Sequence, residues 1–141
     1  MFKTWIGILA ALALTAACAP LPTYAPQDAR IEGTPGKAVI YLVRSRPDLG
    51  PLPAQVVIND NLIGSTHPGT YYRLEVPAGR QRITGYTQDT GAITLDTQAG
   101  GVYFVQHRVS GTWRSPTPHS FFSVINEAQA RAVMARGARA G

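Results

Sequence analysis

The chain has 141 residues, of which 45% are hydrophobic and 15% are charged, and its formal net charge is +5 at pH 7. This composition supports a packed core, and the length suits one small domain behind an N-terminal region. The basic residues are scattered, without the basic stripe or motif that nucleic-acid binding needs. Ordinary solvated charge explains the excess. Attraction to anionic lipid headgroups or acidic glycans is the alternative.

Residues 1–17 predict a secretory signal peptide. Lys3 gives the start a positive charge, an apolar segment runs from Trp5 to Leu14, and three small residues follow. The apolar segment is shorter than the about 18–20 residues that span a bilayer, so a transmembrane anchor is the weaker interpretation. The only cysteine of the chain, Cys18, comes directly after the small residues.

The segment LTAAC resembles the bacterial lipobox, although Thr15 stands where leucine is usual. The resemblance implies cleavage before Cys18, with two acyl chains on its thiol and one on its amine. Acylation would also leave no free thiol in an oxidising compartment. Each buried methylene contributes about 0.8 kcal/mol, so three chains would hold the protein to a membrane essentially permanently. Ala19 stands where aspartate would favour inner-membrane retention, which points to the outer membrane, facing the periplasm.

The lipidated cysteine begins a proline-rich tether that covers residues 18–36. Four prolines and two glycines punctuate it without apolar periodicity, and such a segment favours extended structure of about 3 Å per residue. Residues 37–141 then form the predicted folded domain. The organisation is therefore a leader, a spacer that lifts a domain off a lipid surface, and the domain itself.

Short apolar or alternating segments, separated by turn residues, predict about seven strands in the domain. Asn59-Asp60-Asn61 joins two of them, and these residue types tolerate the backbone of a tight hairpin. No helical pattern separates the strands, so the sequence predicts an all-β, antiparallel β-sandwich. Eight segments are candidates for these about seven strands: 38–43, 55–58, 62–64, 70–76, 80–88, 93–97, 102–110 and 119–125.

The first strand and a C-terminal helix of the domain are predicted in more detail. The segment AVIYLV, residues 38–43, is a continuous apolar run that predicts a strand covered on both faces. After the last strand, Asn126 and Gln129 have the spacing of a capping box and predict one C-terminal helix. We expect the helix to lie across one end of the sandwich or to cover an edge strand. Its predicted apolar side consists of Ala128, Ala132, Val133 and Ala135.

Four motifs in this order resemble a family of small bacterial lipoproteins that carry a domain of unknown function. They are AVIYLVR, VVINDNLIG, GTYYRLEVPAGR and AGGVYFVQ. The order is also similar to the PEGA-type β-sandwich repeat, with Asn61 where glycine often stands. The resemblance covers about residues 37–132 and implies a β-sandwich on a lipid tether at the cell envelope. It implies no catalytic residues, because the shared positions are turn and core positions: Gly64, Tyr72, Pro77 and Gly79.

The candidate chemical groups favour structural roles. His67, His107 and His119 lack the spacing of a metal site, and no second cysteine is present. His107 shares its strand face with apolar residues, so we expect partial burial. No nucleophile elbow or phosphate-binding glycine loop occurs. The sequence therefore predicts a protein that is not an enzyme and has no catalytic residues, metal or cofactor.

The segment Gly111–Ser120, GTWRSPTPHS, is the most suggestive stretch, and we predict that it is a long connection. It carries Trp113 and Arg114, and aromatic and arginine side chains are the usual anchors of interfaces. Tyr71 and Arg73, on one face of a strand, are further candidates for contact with a partner or a glycan. A second interpretation is that Trp113 plugs the open end of the sandwich, as buried tryptophans commonly do.

Together these features predict a non-enzymatic envelope lipoprotein that acts as a protein-interaction or assembly-stabilising module. The alternative is a module that binds peptidoglycan or another envelope glycan. Glycan binding would need Trp113 or Tyr71 exposed beside hydrogen-bonding groups, whereas a scaffold would expose an apolar edge or patch. The predicted partners are the membrane, through the acyl chains on Cys18, and an unidentified envelope protein or glycan.

Overall fold

The computed structural model describes residues 31–86 and 91–138. They form eight strands, where about seven were expected, followed by one helix. The elements are β1 (Ala38–Val43), β2 (Ala54–Ile58), β3 (Asn61–Thr66), β4 (Tyr71–Val76), β5 (Gly79–Gly85), β6 (Ala92–Thr97), β7 (Val102–Thr112), β8 (Ser115–Ile125) and α1 (Glu127–Ala138).

The strands form two four-stranded sheets, which confirms the predicted β-sandwich. The β1 sheet has the order β4-β1-β7-β8, and the β2 sheet has the order β3-β2-β5-β6. Every neighbouring pair is antiparallel except β1 and β7, which run parallel with Tyr41 opposite Phe104. Because β7 has 11 residues and β1 has six, β7 continues well past the end of β1. This overhang positions the candidate site.

The space between the sheets holds the main core. Ile40 and Leu42 of β1 meet side chains of the other sheet, among them Val56, Ile83 and Leu95. Alternation explains the selection, because successive side chains of a strand point to opposite faces. The partly buried residues of β4, Tyr72, Leu74 and Val76, join the same core, as their shared strand face predicts.

The outer face of the β1 sheet has a second core, which α1 covers. Val39, Tyr41 and Val43 pack there with Phe104 of β7, so β1 is buried on both faces as predicted. The expected position of the helix was wrong: α1 lies over the central strands β1 and β7 rather than across an end or an edge strand. Two continuous apolar faces on β1 require a cover on each side, and α1 supplies the second one.

The predicted capping box of α1 is confirmed, but of its predicted apolar side only Val133 packs on the core. The Asn126 backbone N–H donates to the Gln129 side chain at 3.0 Å, and the Gln129 N–H donates back to Asn126 Oδ1 at 2.9 Å. The docked face consists of Ala130, Val133 and Met134, which follow the i, i+3, i+4 spacing of one helix face. Ala128, Ala132 and Ala135 are exposed.

The turn between β2 and β3 has the backbone conformation that its residue types predict. Asn59 and Asp60, between β2 and β3, have φ values of 48° and 66°, the left-handed backbone that a tight hairpin of this kind requires. The side chain of Asn59 accepts the N–H of Arg82 at 2.8 Å and donates to Gln81 Oε1 at 2.6 Å. The turn is therefore also fastened to β5.

The segment expected to be a long connection is a β-hairpin instead. β7 extends to Thr112 and β8 starts at Ser115, so the turn consists of Trp113 and Arg114. The sequence did not predict this strand because the segment contains prolines, and proline has no N–H to donate to a neighbouring strand. It is tolerated here because β8 is an edge strand. Gly111 has φ 126° at the bulge that bends the hairpin.

The predicted leader, Cys18 and most of the tether, residues 1–30, lie outside the described residues. The last tether residues are described and contact the domain: Thr34 Oγ1 donates to Glu75 at 2.6 Å, and the Glu32 N–H donates to the Tyr41 hydroxyl at 3.3 Å. In the described part of the chain, no helix has the length and apolar character needed to cross a membrane.

Candidate functional site: the end of the β7–β8 hairpin

A buried ion pair forms the base of this end of the molecule. Arg44 directly follows β1 and continues the inward alternation of Ile40 and Leu42. Its Nε donates to Asp48 Oδ2 at 2.6 Å, and neither side chain has exposed surface. Burial lowers the pKa of Arg44, and the bond to Asp48 opposes that shift.

The other two nitrogens of the Arg44 guanidinium also donate hydrogen bonds. Nη1 donates to the carbonyl of Thr66 at 3.0 Å, and Nη2 donates to the carbonyls of Gly50 at 3.0 Å and Leu52 at 2.8 Å. A buried charge is tolerated only when it is paired and its hydrogen-bonding groups are satisfied. The ion pair therefore fixes the loop between β1 and β2 to the end of the core.

His107 of β7 lies beside this pair and is fully buried. Its Nδ1 is 2.9 Å from the Thr66 hydroxyl, its Nε2 is 2.8 Å from the Ser120 hydroxyl, and its ring stacks on Phe122 at 4.5 Å. Burial, with a smaller contribution from the positive charge of Arg44, lowers the pKa of His107 to about 3. The imidazole is therefore neutral at pH 7, with both nitrogens bonded to hydroxyl groups.

This arrangement fits a structural role better than a catalytic one. Ser120 is buried, and His107 contacts hydroxyls rather than the carboxylate that orients a general base. A histidine with a pKa of about 3 is also far from the range that suits general base catalysis near neutral pH. The network instead ties the ends of β1 and β3 to the middle of β7 and β8.

The loop after β1 also holds the base of the β7–β8 hairpin. Asp48 Oδ2 accepts the backbone N–H of Val109 at 3.0 Å. Gly50 lies so close to Gly111 that an added Cβ would contact its carbonyl oxygen and lie 3.0 Å from its nitrogen. The hairpin therefore emerges from a fixed base and presents Trp113 and Arg114 at its turn.

Trp113 is 77% exposed, so the plug interpretation is wrong. The hairpin continues beyond the two-sheet core, so its turn has no core to enter. Arg114 is exposed as well, and the hydrogen bonds at the turn are made by its backbone N–H and that of Ser115, which both donate to the Thr112 hydroxyl. Thr112 orders the turn, and the side chains of Trp113 and Arg114 are exposed to solvent or to a partner.

The other two candidates are engaged within the domain. Tyr71 is half-buried against Tyr41, and burial is the main cause that raises its pKa. Its hydroxyl has no partner among the described residues. Arg73 is exposed, but it bonds Glu75 at 2.9 Å, Thr34 Oγ1 at 2.9 Å and the Glu32 carbonyl at 3.2 Å. Hydrogen bonds from Thr34 and Arg73 lower the pKa of Glu75. Because β1 lies between β4 and the β7–β8 hairpin in the sheet, the structure does not bring Tyr71 and Arg73 together with the hairpin turn.

Sequence reasoning did not include a group of side chains on the outer side of the hairpin base. Arg108 of β7 lies opposite Phe121 of β8, so both point to the outer face of the β1 sheet. Leu49 joins them around a cavity of about 310 Å³. A cavity of about 530 Å³ on the loop side is lined by Leu49, Arg46 and three prolines. Arg46, Leu49, Arg108 and Phe121 are all exposed, and we call them the Leu49 patch.

The remaining histidines lie apart from the network: His67 is at the turn between β3 and β4, and His119 is on β8. Within the described ranges, no cluster of three or more histidine, cysteine, aspartate or glutamate side chains could hold a metal ion. Of the network, sequence reasoning identified only His107. A charged residue that continues the inward alternation of β1 was the available signal for Arg44.

The fold defines a class: a small β-sandwich with a helix on one sheet and a hairpin that projects from a buried polar base. Residues 34–118, more than half of the chain, match the model of the family described as "Protein of unknown function (DUF2846)", and the chain belongs to this family. This confirms the resemblance to a family with a domain of unknown function, while the likeness to the PEGA repeat stays a prediction. A search of the curated proteins found no match.

Proposed function

We propose that this protein is a non-enzymatic lipoprotein of the bacterial cell envelope that acts as a membrane-tethered interaction module. Its contact site is the hairpin turn, and the partner is an envelope protein or an assembly that the module stabilises. The observation that carries the proposal is the 77% exposure of Trp113 at the turn. A tryptophan left in water costs hydrophobic free energy that a partner surface can recover.

The base of the hairpin supports this proposal. Interface anchors bind best when little conformational freedom is lost on binding. Arg44, Asp48 and His107 fix the base through buried hydrogen bonds, and Thr112 orders the turn. Trp113 and Arg114 are therefore presented on a preorganised support, as an interaction site requires.

The proposed location comes from the sequence. A leader, the LTAAC segment and Cys18 favour a lipid anchor, and Ala19 favours the outer membrane with the domain in the periplasm. In the proposal, the acyl chains hold the module at the lipid surface, so it meets its partner in two dimensions. Weak contacts at the turn suffice under these conditions, because tethering raises the effective concentration.

A second candidate function is binding of peptidoglycan or another envelope glycan through the same turn. The favouring observation is that an exposed indole stands next to Arg114, whose exposed guanidinium can donate hydrogen bonds to sugar hydroxyls. The requirement for an exposed aromatic ring beside hydrogen-bonding groups is met at Trp113. It is not met at Tyr71, which is half-buried.

The test is site-specific photocrosslinking in intact cells from the position of Trp113, followed by mass spectrometry of the crosslinked species. Tyr86, an exposed aromatic residue outside the hairpin with 66% exposure, is the matched control position. We expect one envelope protein to be crosslinked from position 113 and not from position 86. Equal crosslinking from both positions would contradict the proposal.

Purified peptidoglycan distinguishes the second function. The acylated protein and its Trp113→Ala variant are incubated with isolated sacculi and sedimented in detergent. Sedimentation that is lost in Trp113→Ala and kept in Tyr86→Ala favours glycan binding. Sedimentation of neither protein, together with a crosslinked protein partner, favours the interaction module.

A further inference from the structure

The Leu49 patch combines exposed apolar and cationic groups, and its occupant can be inferred from their chemistry. Leu49 is 51% exposed and Phe121 is 50% exposed, and they flank Arg108 around one cavity. Arg46 lines the adjoining cavity with Leu49. No hydrogen bond or ion pair among the described residues engages the guanidinium of Arg46 or Arg108, so both charges are available to an anionic partner.

The patch has no negative charge to compete with such a partner. The loop 44–53 and the hairpin 102–125 contain a single carboxylate, Asp48. That carboxylate is buried and paired with Arg44, so the ion pair contributes no net charge at the surface. The patch therefore presents two unpaired positive charges with two large apolar side chains, which complements a surface that is anionic outside and apolar beneath.

The chain before β1 runs along the sheet in a direction that links the patch with the proposed anchor. Glu32 and Thr34 run along the outer face of the β1 sheet: Thr34 bonds Glu75, which is opposite Val39, and the Glu32 carbonyl accepts from Arg73, which is opposite Tyr41. Followed back toward Cys18, the chain thus heads for the end of β1 where the patch lies. Ile31 still packs on this face.

Lengths along the strands and the tether agree with this direction. Tyr41 is level with Phe104, and Arg108 lies four residues further along β7, about 13 Å at 3.3 Å per residue. The 12 residues 19–30 between Cys18 and Ile31 can span at most about 40 Å. A membrane that holds acyl chains on Cys18 is therefore within reach of the patch.

We infer that the Leu49 patch docks on the anionic headgroups of the membrane that holds the anchor, with Arg46 and Arg108 on the headgroups and Leu49 and Phe121 at the apolar boundary. The inference rests on the lipid anchor of the proposed function. Docking adds a second, reversible attachment that orients the domain. Trp113 and Arg114 lie in the turn, beyond the Arg108–Phe121 pair, so the patch and the turn are separate surfaces.

The experiment places an environment-sensitive fluorophore on the acylated protein. In Leu49→Cys the new thiol is the only one free when Cys18 is acylated. Leu62→Cys is the matched control, because Leu62 is 53% exposed and lies on β3 of the other sheet. Each labelled protein is reconstituted into vesicles of phosphatidylcholine alone or with one quarter phosphatidylglycerol, and quenching by brominated lipid is measured.

We expect brominated lipid to quench the label at position 49 in vesicles with phosphatidylglycerol and to leave the label at position 62 unaffected. Screening by about 1 M salt should remove most of the quenching, because the Debye length then falls to about 3 Å. Arg46→Gln with Arg108→Gln should lower the docked-to-undocked ratio about 30-fold, from about fivefold for each arginine near an anionic leaflet. Arg80→Gln with Arg82→Gln, exposed arginines of β5, is the charge-matched control and should lower it far less.

Three results would overturn the inference. Equal quenching at positions 49 and 62 would mean that no particular face meets the lipid. A label at position 49 that stays in water in both vesicle types, and crosslinks to an envelope protein in cells, would assign the patch to a protein instead. Labelling of the unsubstituted chain would show a free Cys18 thiol, so the anchor itself, and with it the proposed function, would fail; the first two results leave the anchor intact.

Discussion

His107 and Arg108 are neighbours on β7, yet they have opposite situations. His107 points between the sheets, where both ring nitrogens have hydroxyl partners and the ring stacks on Phe122. Arg108 points outward, is exposed and lines a cavity with Leu49 and Phe121. On the inner face of the hairpin, both ring nitrogens of His107 are bonded within the domain, whereas the guanidinium of Arg108 on the outer face is available to a partner.

This difference separates residues that build the site from residues that can bind. A conspicuous chemical group is available to a partner only when the domain has not already used it. The polar groups of Arg44, Asp48 and His107 are bonded within the domain, so these side chains stabilise the fold. Trp113 and the Leu49 patch are places where side chains of the domain remain available for binding. The predictions below test this separation, first on the inner side.

Removing one partner of the buried ion pair should have the largest effect. Asp48→Ala leaves the guanidinium of Arg44 buried without its counter-charge and frees the N–H of Val109, and a broken buried pair typically costs about 3–5 kcal/mol. Chemical denaturation monitored by circular dichroism measures the free energy of unfolding. The control is Asp96→Ala, which breaks the exposed pair with Arg80 and should cost less than about 1 kcal/mol. Equal costs would contradict the structural role.

Acid should destabilise the domain through His107. The unfolded imidazole binds a proton near pH 6.5, but the folded one binds it only near pH 3, so the unfolded state holds more protons between these values. The contribution of His107 is therefore complete above about pH 6.5 and is lost as the pH falls toward 3, by about 3–5 kcal/mol in all. Denaturant midpoints measured from pH 7 to pH 3 should fall less steeply in His107→Gln than in the unsubstituted protein. Parallel curves would mean that His107 is accessible to protons in the fold.

A smaller effect is expected where the loop meets the hairpin. Gly50→Ala places a Cβ against the backbone of Gly111, and backbone cannot move aside as a flexible side chain can. Overpacking of this kind costs about 1–3 kcal/mol. Arg46→Ala, at an exposed residue of the same loop, is the control and should stay within about 0.5 kcal/mol. Thermal melts of both variants measure the difference, and a neutral Gly50→Ala would show that loop and hairpin are not packed together.

The sandwich was predictable because its signals are local. The continuous apolar run of β1 required cover on both faces, and Asn59-Asp60 required a tight turn, as the structure confirms. Local signals also caused the main error: the prolines of β8 are typical of a connection, and only the position of β8 at a sheet edge accommodates them. Whether a strand is at an edge depends on the whole topology, which no short segment encodes.

The network at the hairpin base could not be found in the same way. Arg44 and Asp48 come from the loop after β1, whereas Thr66, His107 and Ser120 come from three different strands, and their spacing in the chain follows no motif. The hydrogen bond between Thr66 and His107, which are 41 residues apart, forms only after the sheets pair. The exposure of Trp113 depends likewise on the overhang of β7 beyond β1, a length difference that appears only when the two strands are in register.

The smallest effect on stability, and the most informative one, is expected at the turn. Trp113→Ala removes a side chain that is 77% exposed, so the free energy of unfolding should change by no more than about 0.5 kcal/mol. Phe104→Ala, which removes a buried ring stacked on Tyr41, should cost about 3–5 kcal/mol in the same denaturation experiment. Because Trp113 contributes so little to folding, a loss of crosslinking in Trp113→Ala can be attributed to the contact itself. A cost near that of Phe104→Ala would instead place Trp113 among the residues that build the site.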